Sequence, residues 1–164
     1  MEQHSMRVET FGGLAVWLDE KLLVRRGERI NKNLELLALL ALNGRAPLSN
    51  EALAGLLWTE EESHNPAGAL KNAAYSLRRL LEQRGVEREL VTVEDKQYRL
   101  APDLALEVDL WQAGRLAEQA VNQPDKALAL AAWEELDGIC CGDFLPQLAD
   151  RPWVAGQAAL VRDG

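Results

Sequence analysis

The sequence predicts an α+β fold in which a small antiparallel sheet precedes three helices and a β-hairpin, and an all-helical segment follows. Short alternating runs fill the first 24 residues, whereas leucine and alanine recur at helical spacing between residues 33 and 83. The composition changes near residue 100. Residues 1–100 carry 14 Lys/Arg against 15 Asp/Glu, and residues 101–164 carry 4 against 11. The change predicts two domains, 6–100 and 101–164.

Size and composition exclude several classes of protein. The chain has 164 residues, is 48% hydrophobic and carries a net charge of −8, which is typical of a globular protein. No apolar run is long enough to span a bilayer, and the N-terminus lacks a signal-peptide core, so a cytoplasmic location is expected. The adjacent Cys140 and Cys141 have no nearby histidine and predict no metal site. Nucleotide-loop and hydrolase motifs are absent, so neither a cofactor nor an enzyme activity is expected.

The first 24 residues are predicted to form three short strands. Met6–Phe11 alternates, Gly12-Gly13 makes a turn, and Leu14–Leu18 forms a second strand. Asp19-Glu20 turns the chain again into Lys21–Val24. Strands this close in sequence predict a small antiparallel sheet.

Two helices follow the sheet. Asn33–Leu42 is apolar around most of its circumference, which predicts a buried helix. Ser49 or Asn50 is expected to cap the next helix, Glu51–Leu57, because both side chains can accept a bond from a backbone N–H of the first turn.

The stretch Asn65–Gln83 predicts a third, longer helix with an apolar back and a donor-rich front. Pro66 is suited to a first helical turn. The apolar stripe consists of Leu70, Ala74, Leu77 and Leu81. The residues off the stripe are polar or able to stack: Lys71, Asn72, Tyr75, Ser76, Arg79 and Gln83. A DNA major groove accepts such a helix, although an ordinary solvated surface helix has the same pattern.

A β-hairpin is predicted after the third helix. Leu90–Val93 alternates, Glu94-Asp95-Lys96 forms a turn, and Gln97–Leu100 alternates again. The order of sheet, two helices, long helix and hairpin is the plan of a winged helix-turn-helix domain.

Residues 101–164 are predicted to be all-α. Asp109–Gln123 and a helix from Pro124 to Leu136 carry small and apolar residues at helical spacing, which is typical of a helical-repeat (TPR-like) pair. Trp153–Arg162 is predicted as a third helix. A helical-repeat array usually needs about three units. The sequence therefore indicates either a truncated segment or helices that pack on the first domain.

In both halves the chain resembles the SARP family of antibiotic-pathway activators, which have an OmpR/PhoB-type winged helix followed by a bacterial transcriptional activator domain. The front pieces are FGGLAVWLD, LLALLALNGRAPLSNEALAGLLW, ALKNAAYSLRRLL and LVTVEDKQYRL. The back pieces are VDLWQAGRLAEQA, ALALAAWEEL and GDFLPQLADRPWVAGQAALV. Together they cover most of residues 6–162, and their order and spacing are fairly specific.

The resemblance implies a sequence-specific DNA-binding transcription regulator that acts as a homodimer on repeated double-stranded sites and recruits RNA polymerase. Carried over by position, the groove-facing residues are Lys71, Asn72, Tyr75, Ser76 and Arg79. Arg78 resembles the arginine that braces the helix or meets a phosphate. Ser49 and Asn50 stand where the second helix approaches the backbone, and Lys96 stands in the hairpin turn. Thr59–His64 matches the loop that can contact the polymerase sigma subunit.

Some residues depart from the family pattern. The hairpin turn has acidic Glu94 and Asp95 where the family usually has glycines, and Ala73 and Ala74 replace bulkier residues. A basic cluster follows the sheet and consists of Arg25, Arg26, Arg29 and Lys32. Its three arginines could add contacts to the DNA backbone. The negative net charge and the acidic turn of the hairpin leave open an alternative. The protein could be an interaction module that keeps the winged-helix scaffold without binding DNA tightly.

Overall fold

The structure is a computed structural model that describes residues 4–43, 46–58, 65–139 and 145–148. The described residues form two compact units. One unit contains residues 4–6 and 29–106, and the other contains residues 7–28 and 107–148. This division differs from the two consecutive segments that the composition suggests, since the N-terminal strands group with the later helices. The functional domains 6–100 and 101–164 remain a prediction.

Three helices form the core of the first unit: α1 (Lys32–Leu42), α2 (Asn50–Leu57) and α3 (Pro66–Gln83). Each packs on the other two. Residues 34–41 of α1 are all buried. The helix has apolar side chains around most of its circumference, so its sequence predicts this burial. The largest fully buried side chains of the three helices are leucines: Leu36, Leu37, Leu40, Leu53, Leu57, Leu70 and Leu77.

The predicted hairpin is present and gains a third strand. The sheet has the order β4 (Leu48–Ser49), β6 (Gln97–Leu100) and β5 (Val91–Glu94). Glu94 pairs with Gln97, which leaves Asp95 and Lys96 as the loop, with φ values of +51° and +63°. Two successive left-handed residues indicate a type I′ turn, whose twist suits a two-residue hairpin. The short strand β4 was not predicted.

The second sheet contains the three predicted strands and one more. Its order is β3 (Lys21–Val24), β2 (Ala15–Leu18), β1 (Ser5–Glu9) and β7 (Ala105–Val108). The first strand was expected to reach Phe11 but ends at Glu9. Beyond Glu9, the backbone N–H groups of the next two residues donate to the carboxylate of Asp109.

Two helices follow β7, namely α4 (Asp109–Asn122) and α5 (Lys126–Ile139), and they pack against each other. The α5 helix begins two residues later than predicted. The Asp125 carboxylate accepts bonds from the N–H groups of Ala127 and Leu128, at 2.9 and 3.3 Å, and caps the helix. A 3₁₀ turn, Pro146–Leu148, is the last described element. No helix within the described residues combines the length and apolarity that crossing a bilayer requires.

Candidate nucleic-acid interface

The α3 helix is anchored at its start and along one face. Asn65 is the N-cap, and its Oδ1 accepts a hydrogen bond from the Gly68 N–H at 3.2 Å. The predicted apolar stripe is buried: Leu70 and Leu77 are fully enclosed, and Ala74 and Leu81 are at most 5% exposed. Because this stripe packs on α1 and α2, the opposite face of α3 is fixed in orientation.

The outer face of α3 carries the five predicted groove residues together. All five are exposed: Lys71, Asn72, Tyr75, Ser76 and Arg79. Their spacing of three, four and eight residues places them on one side of the helix, and Lys71 and Arg79 lie about 12 Å apart along its axis. Three of these residues carry nitrogen donors and two carry hydroxyl groups, so this face can donate hydrogen bonds to base edges or phosphates.

Tyr75 and Arg79 form a pair one turn apart. Arg79 Nη1 donates to the phenol oxygen of Tyr75 at 3.2 Å, and the guanidinium carbon lies 5.9 Å from the centre of the ring. Tyr75 is 62% exposed, although it could have packed over the helix base. The hydrogen bond with Tyr75 raises the pKa of Arg79 further above its ordinary value. The guanidinium therefore remains charged at any pH used for binding.

Ser76 is held by a residue that the sequence reading did not select. Asn33, in the first turn of α1, donates from Nδ2 to Ser76 Oγ at 3.1 Å. Both side chains belong to the exposed edge where α1 meets α3. No sequence signal links residues 43 positions apart, so only the packing of the two helices identifies Asn33.

The side chain of Arg78 points towards the hairpin and is not part of the outer face of α3. Its Nη2 lies 3.3 Å from the Glu89 carboxylate and 3.5 Å from the Val91 carbonyl oxygen, where it donates a hydrogen bond. Its Nε is buried without a hydrogen-bond partner among the described residues. Of the two roles that the resemblance implies, this geometry suits the brace between α3 and the hairpin.

Ser49, Asn50 and Lys96 come together where α2 begins. Ser49 is the N-cap, and its Oγ accepts from the Ala52 N–H at 3.1 Å, which decides between the two predicted caps. The Asn50 N–H donates to the Lys96 carbonyl at 2.9 Å, and Ser49 pairs with Gln97. The start of α2 and the turn of the hairpin therefore form one continuous surface.

The hairpin turn presents charges of both signs. Glu94, Asp95 and Lys96 are all exposed. The two carboxylates would repel phosphates, whereas the lysine would attract them. This turn can therefore contribute little net attraction to a nucleic-acid backbone.

The four basic residues after the sheet do not form one cluster in the structure. Arg25 and Arg26 belong to one compact unit and Arg29 and Lys32 to the other. Arg26 pairs with Glu9 at 2.8 Å. Lys32 donates to the carbonyl oxygen of Leu57 at the end of α2.

Lys32 also connects two side chains of the helical core. Its Nζ lies 3.8 Å from the carboxylate of Glu35, which is fully buried, and 5.6 Å from the centre of the Trp58 ring. The lysine thus links the start of α1 to the end of α2. Neither Glu35 nor this link was predicted, because the leucine-rich pattern of α1 does not reveal which of its polar residues turns inward.

Some predicted features lie outside the described residues. They are the loop Thr59–His64, the pair Cys140 and Cys141, and the helix Trp153–Arg162. Within the described part of the chain, no group of three or more His, Cys, Asp or Glu residues could hold a metal ion.

Comparison with known proteins identifies a fold. No protein-family model matches the chain, and no curated protein matches its sequence. Among solved structures, Mycobacterium tuberculosis EmbR, in complex with a low-affinity phosphopeptide, superposes with a TM-score of 0.67 at 23% sequence identity. The match covers 98% of this chain and 43% of the EmbR chain, so this chain spans less than half of EmbR. The chain therefore has an EmbR-like mixed α/β fold, with five helices and two sheets among its described residues.

Proposed function

We propose that this protein is a sequence-specific DNA-binding transcriptional regulator that inserts α3 into the major groove. The observation that carries the proposal is the outer face of α3, where five exposed donor side chains lie opposite a fully buried stripe. A helix that is fixed from behind and rich in donors in front can present side chains to base edges in a defined register.

The remaining elements suit a winged-helix arrangement around that helix. The β5–β6 hairpin serves as the wing, and Arg78 connects it to α3 through Glu89 and Val91. Ser49 and Asn50 at the start of α2, with Lys96 beside them, supply contacts to the backbone. The Ser49 hydroxyl, the Asn50 amide and the Lys96 ammonium can each donate to a phosphate oxygen, so this junction adds affinity without reading sequence.

The fold comparison and the sequence motifs are compatible with this proposal. The chain shares its fold with EmbR over 98% of its length, and its motifs independently resemble the SARP family of transcription regulators. We extend the proposal to a homodimer on repeated sites and to polymerase contact through Thr59–His64, on the strength of the resemblance alone.

Selection from a random pool of duplex DNA tests the proposal. The enriched duplex is then titrated against the protein by fluorescence anisotropy at several salt concentrations. An enriched repeated motif, with affinity that falls steeply with salt, is the expected result. Absence of enrichment, with only weak binding that vanishes at physiological salt, would reject the proposal.

The variant Arg79→Ala tests the assignment of the reading face. A bidentate arginine–guanine contact discriminates between bases by roughly 5- to 150-fold. The variant should lose discrimination at one base position while its thermal unfolding stays unchanged. Arg115→Ala is the matched control, because it removes the same charge from an exposed position on α4. Equal discrimination by Arg79→Ala and the wild type would show that another face of the protein reads DNA.

A protein-interaction module is the second candidate. Two observations favour it: the acidic residues Glu94 and Asp95 in the wing, and the exposure of Leu128 and Leu130 on α5, at 57% and 58%. Large exposed apolar side chains can mark interaction surfaces, and these two, which stand two positions apart on the helix, point to different sides of α5. Under this alternative, the selection experiment enriches no motif, and alanine substitution of the two leucines abolishes capture of a protein partner.

A further inference from the structure

We infer that Tyr75 is a positioning residue, which holds the guanidinium of Arg79 in the orientation that reads a base. The inference rests on the proposed function and deepens it. It assigns to Tyr75 neither a stacking contact nor a phosphate contact of its own, but control over the neighbouring arginine.

The geometry that carries the inference is the contact between the two side chains. Arg79 Nη1 donates to the Tyr75 phenol oxygen at 3.2 Å, and the guanidinium carbon lies 5.9 Å from the ring centroid. The two residues stand one turn apart on α3, so their side chains meet on the same face. The backbone beneath them is held by Ala74 and Leu77, which are buried against the rest of the helical core.

The chemistry of arginine explains what this contact leaves available. The guanidinium has five N–H donors in a planar fork, and the phenol oxygen takes one of them. The remaining donors include a pair that can reach the O6 and N7 acceptors of one guanine. The bond to Tyr75 therefore restrains the plane of the fork without consuming its reading edge.

Restraint of this kind changes recognition more than it changes the fold. A long, exposed arginine samples many rotamers and loses that freedom when it binds. A guanidinium that is already held in one plane loses less, and it fits a guanine better than a base that presents other acceptors. Both side chains project from the outer face of α3, so removal of the hydroxyl group leaves the buried stripe intact.

A double-mutant cycle tests the inference. The variants are Tyr75→Phe, Arg79→Ala and the double variant, and the readouts are the Kd for the selected duplex and the ratio of Kd values for two duplexes. One duplex carries the selected site. The other carries a single base-pair change at the position that the wild type distinguishes and Arg79→Ala does not. Tyr98→Phe is the matched control, because it removes the same atom from the other tyrosine of the chain, which is buried in β6.

Tyr75→Phe should lower this discrimination about two- to fivefold, the range expected for loss of one exposed hydrogen bond, because the phenyl ring of the variant keeps the cation–π contact. In the Arg79→Ala background, Tyr75→Phe should not change the Kd for the selected duplex. In the free protein, ¹⁵N relaxation of the Arg79 guanidinium should show greater mobility in Tyr75→Phe than in the wild type or in Tyr98→Phe. Thermal unfolding of Tyr75→Phe should match that of the wild type.

Three outcomes would overturn the inference, and they are distinguishable from one another. Unchanged discrimination and mobility in Tyr75→Phe would show that the pair is an ordinary surface contact. An equal loss of affinity for the selected duplex in both backgrounds would show that Tyr75 touches DNA directly. If the wild type prefers no sequence, the proposed function itself fails and the inference fails with it.

Discussion

Replacement of Asp109 with alanine should destabilise the unit formed by residues 7–28 and 107–148. Both carboxylate oxygens of Asp109, the first residue of α4, accept hydrogen bonds from the segment that follows β1. Oδ2 accepts from the N–H groups of Thr10 and Phe11 at 2.7 and 3.1 Å, and Oδ1 accepts from the Thr10 hydroxyl at 2.6 Å. Thr10 is fully buried and Phe11 is 4% exposed, so bulk water does not solvate these donors directly.

The size of the effect follows from the donors that lose their acceptor. A buried donor without a partner costs about 1–3 kcal/mol, which gives about 3 kcal/mol for three donors at the lower limit. Asp109 also lines an open cavity of about 340 Å³, from which water can replace part of the carboxylate. We therefore expect Asp109→Ala to cost about 2–4 kcal/mol. Asp109→Asn should cost about 1 kcal/mol, since its carbonyl oxygen can still accept from both N–H groups.

Urea unfolding followed by far-ultraviolet circular dichroism and tryptophan fluorescence measures the change. With a slope of about 2 kcal/mol per molar urea, the middle of the usual range, the midpoint for Asp109→Ala should fall by roughly 1–2 M at unchanged slope. Glu118→Ala is the control, because it removes an exposed carboxylate from the same helix, α4. If the two alanine variants unfold at the same midpoint, the carboxylate of Asp109 does not hold the β1 segment and the reasoning is wrong.

Two further predictions concern the hairpin and the pH dependence of stability. Lys96→Gly should raise stability by about 0.5–1 kcal/mol, because glycine adopts the positive φ of this type I′ turn without strain. If Lys96 contacts a phosphate, the same variant should reduce the slope of log K for DNA binding against log salt concentration by about one. Lys96→Asn removes the same charge and should reduce the slope equally. Arg88 holds the pKa of Asp103 below its ordinary value, so this pair stabilises the fold above the unfolded-state pKa, and the contribution is lost as the pH falls through the folded-state pKa. The difference in urea midpoint between wild type and Asp103→Asn should therefore be present near neutral pH and disappear in strong acid, and a difference that grows in acid would contradict this sign.

The sequence predicted the elements whose cause is local. The stripe of leucine and alanine in α3 has the helical period, and the structure buries each of its four members. The two acidic turns between short alternating runs also predicted both hairpins, because turn chemistry acts over a few residues. Boundaries differed by one to three residues where capping or a tertiary hydrogen bond decided them, as at Asp125 and at the end of β1.

The sequence indicated which residues of α3 form the exposed face, but it did not indicate where their side chains point. The five groove residues could be named because they fall off the apolar stripe, and exposure of the five follows from that pattern. The direction of each long side chain could not be named. Arg78 and Arg79 are adjacent in sequence, yet one contacts the hairpin and the other contacts Tyr75.

The sequence by itself determined all five described helices, the strands of both hairpins and the apolar face of α3, since periodicity and turn residues act within about ten residues of chain. It did not reveal the strands β4 and β7. Only the tertiary structure decided the partners. It placed β7 beside β1 in the sheet, turned Lys32 from a predicted basic surface onto the carbonyl of Leu57, and set Asn33 against Ser76. Strand pairing and the targets of long polar side chains depend on groups that are distant in sequence, and several alternatives satisfy the same local pattern. Packing of the whole core selects one of these strand pairings and one set of side-chain partners.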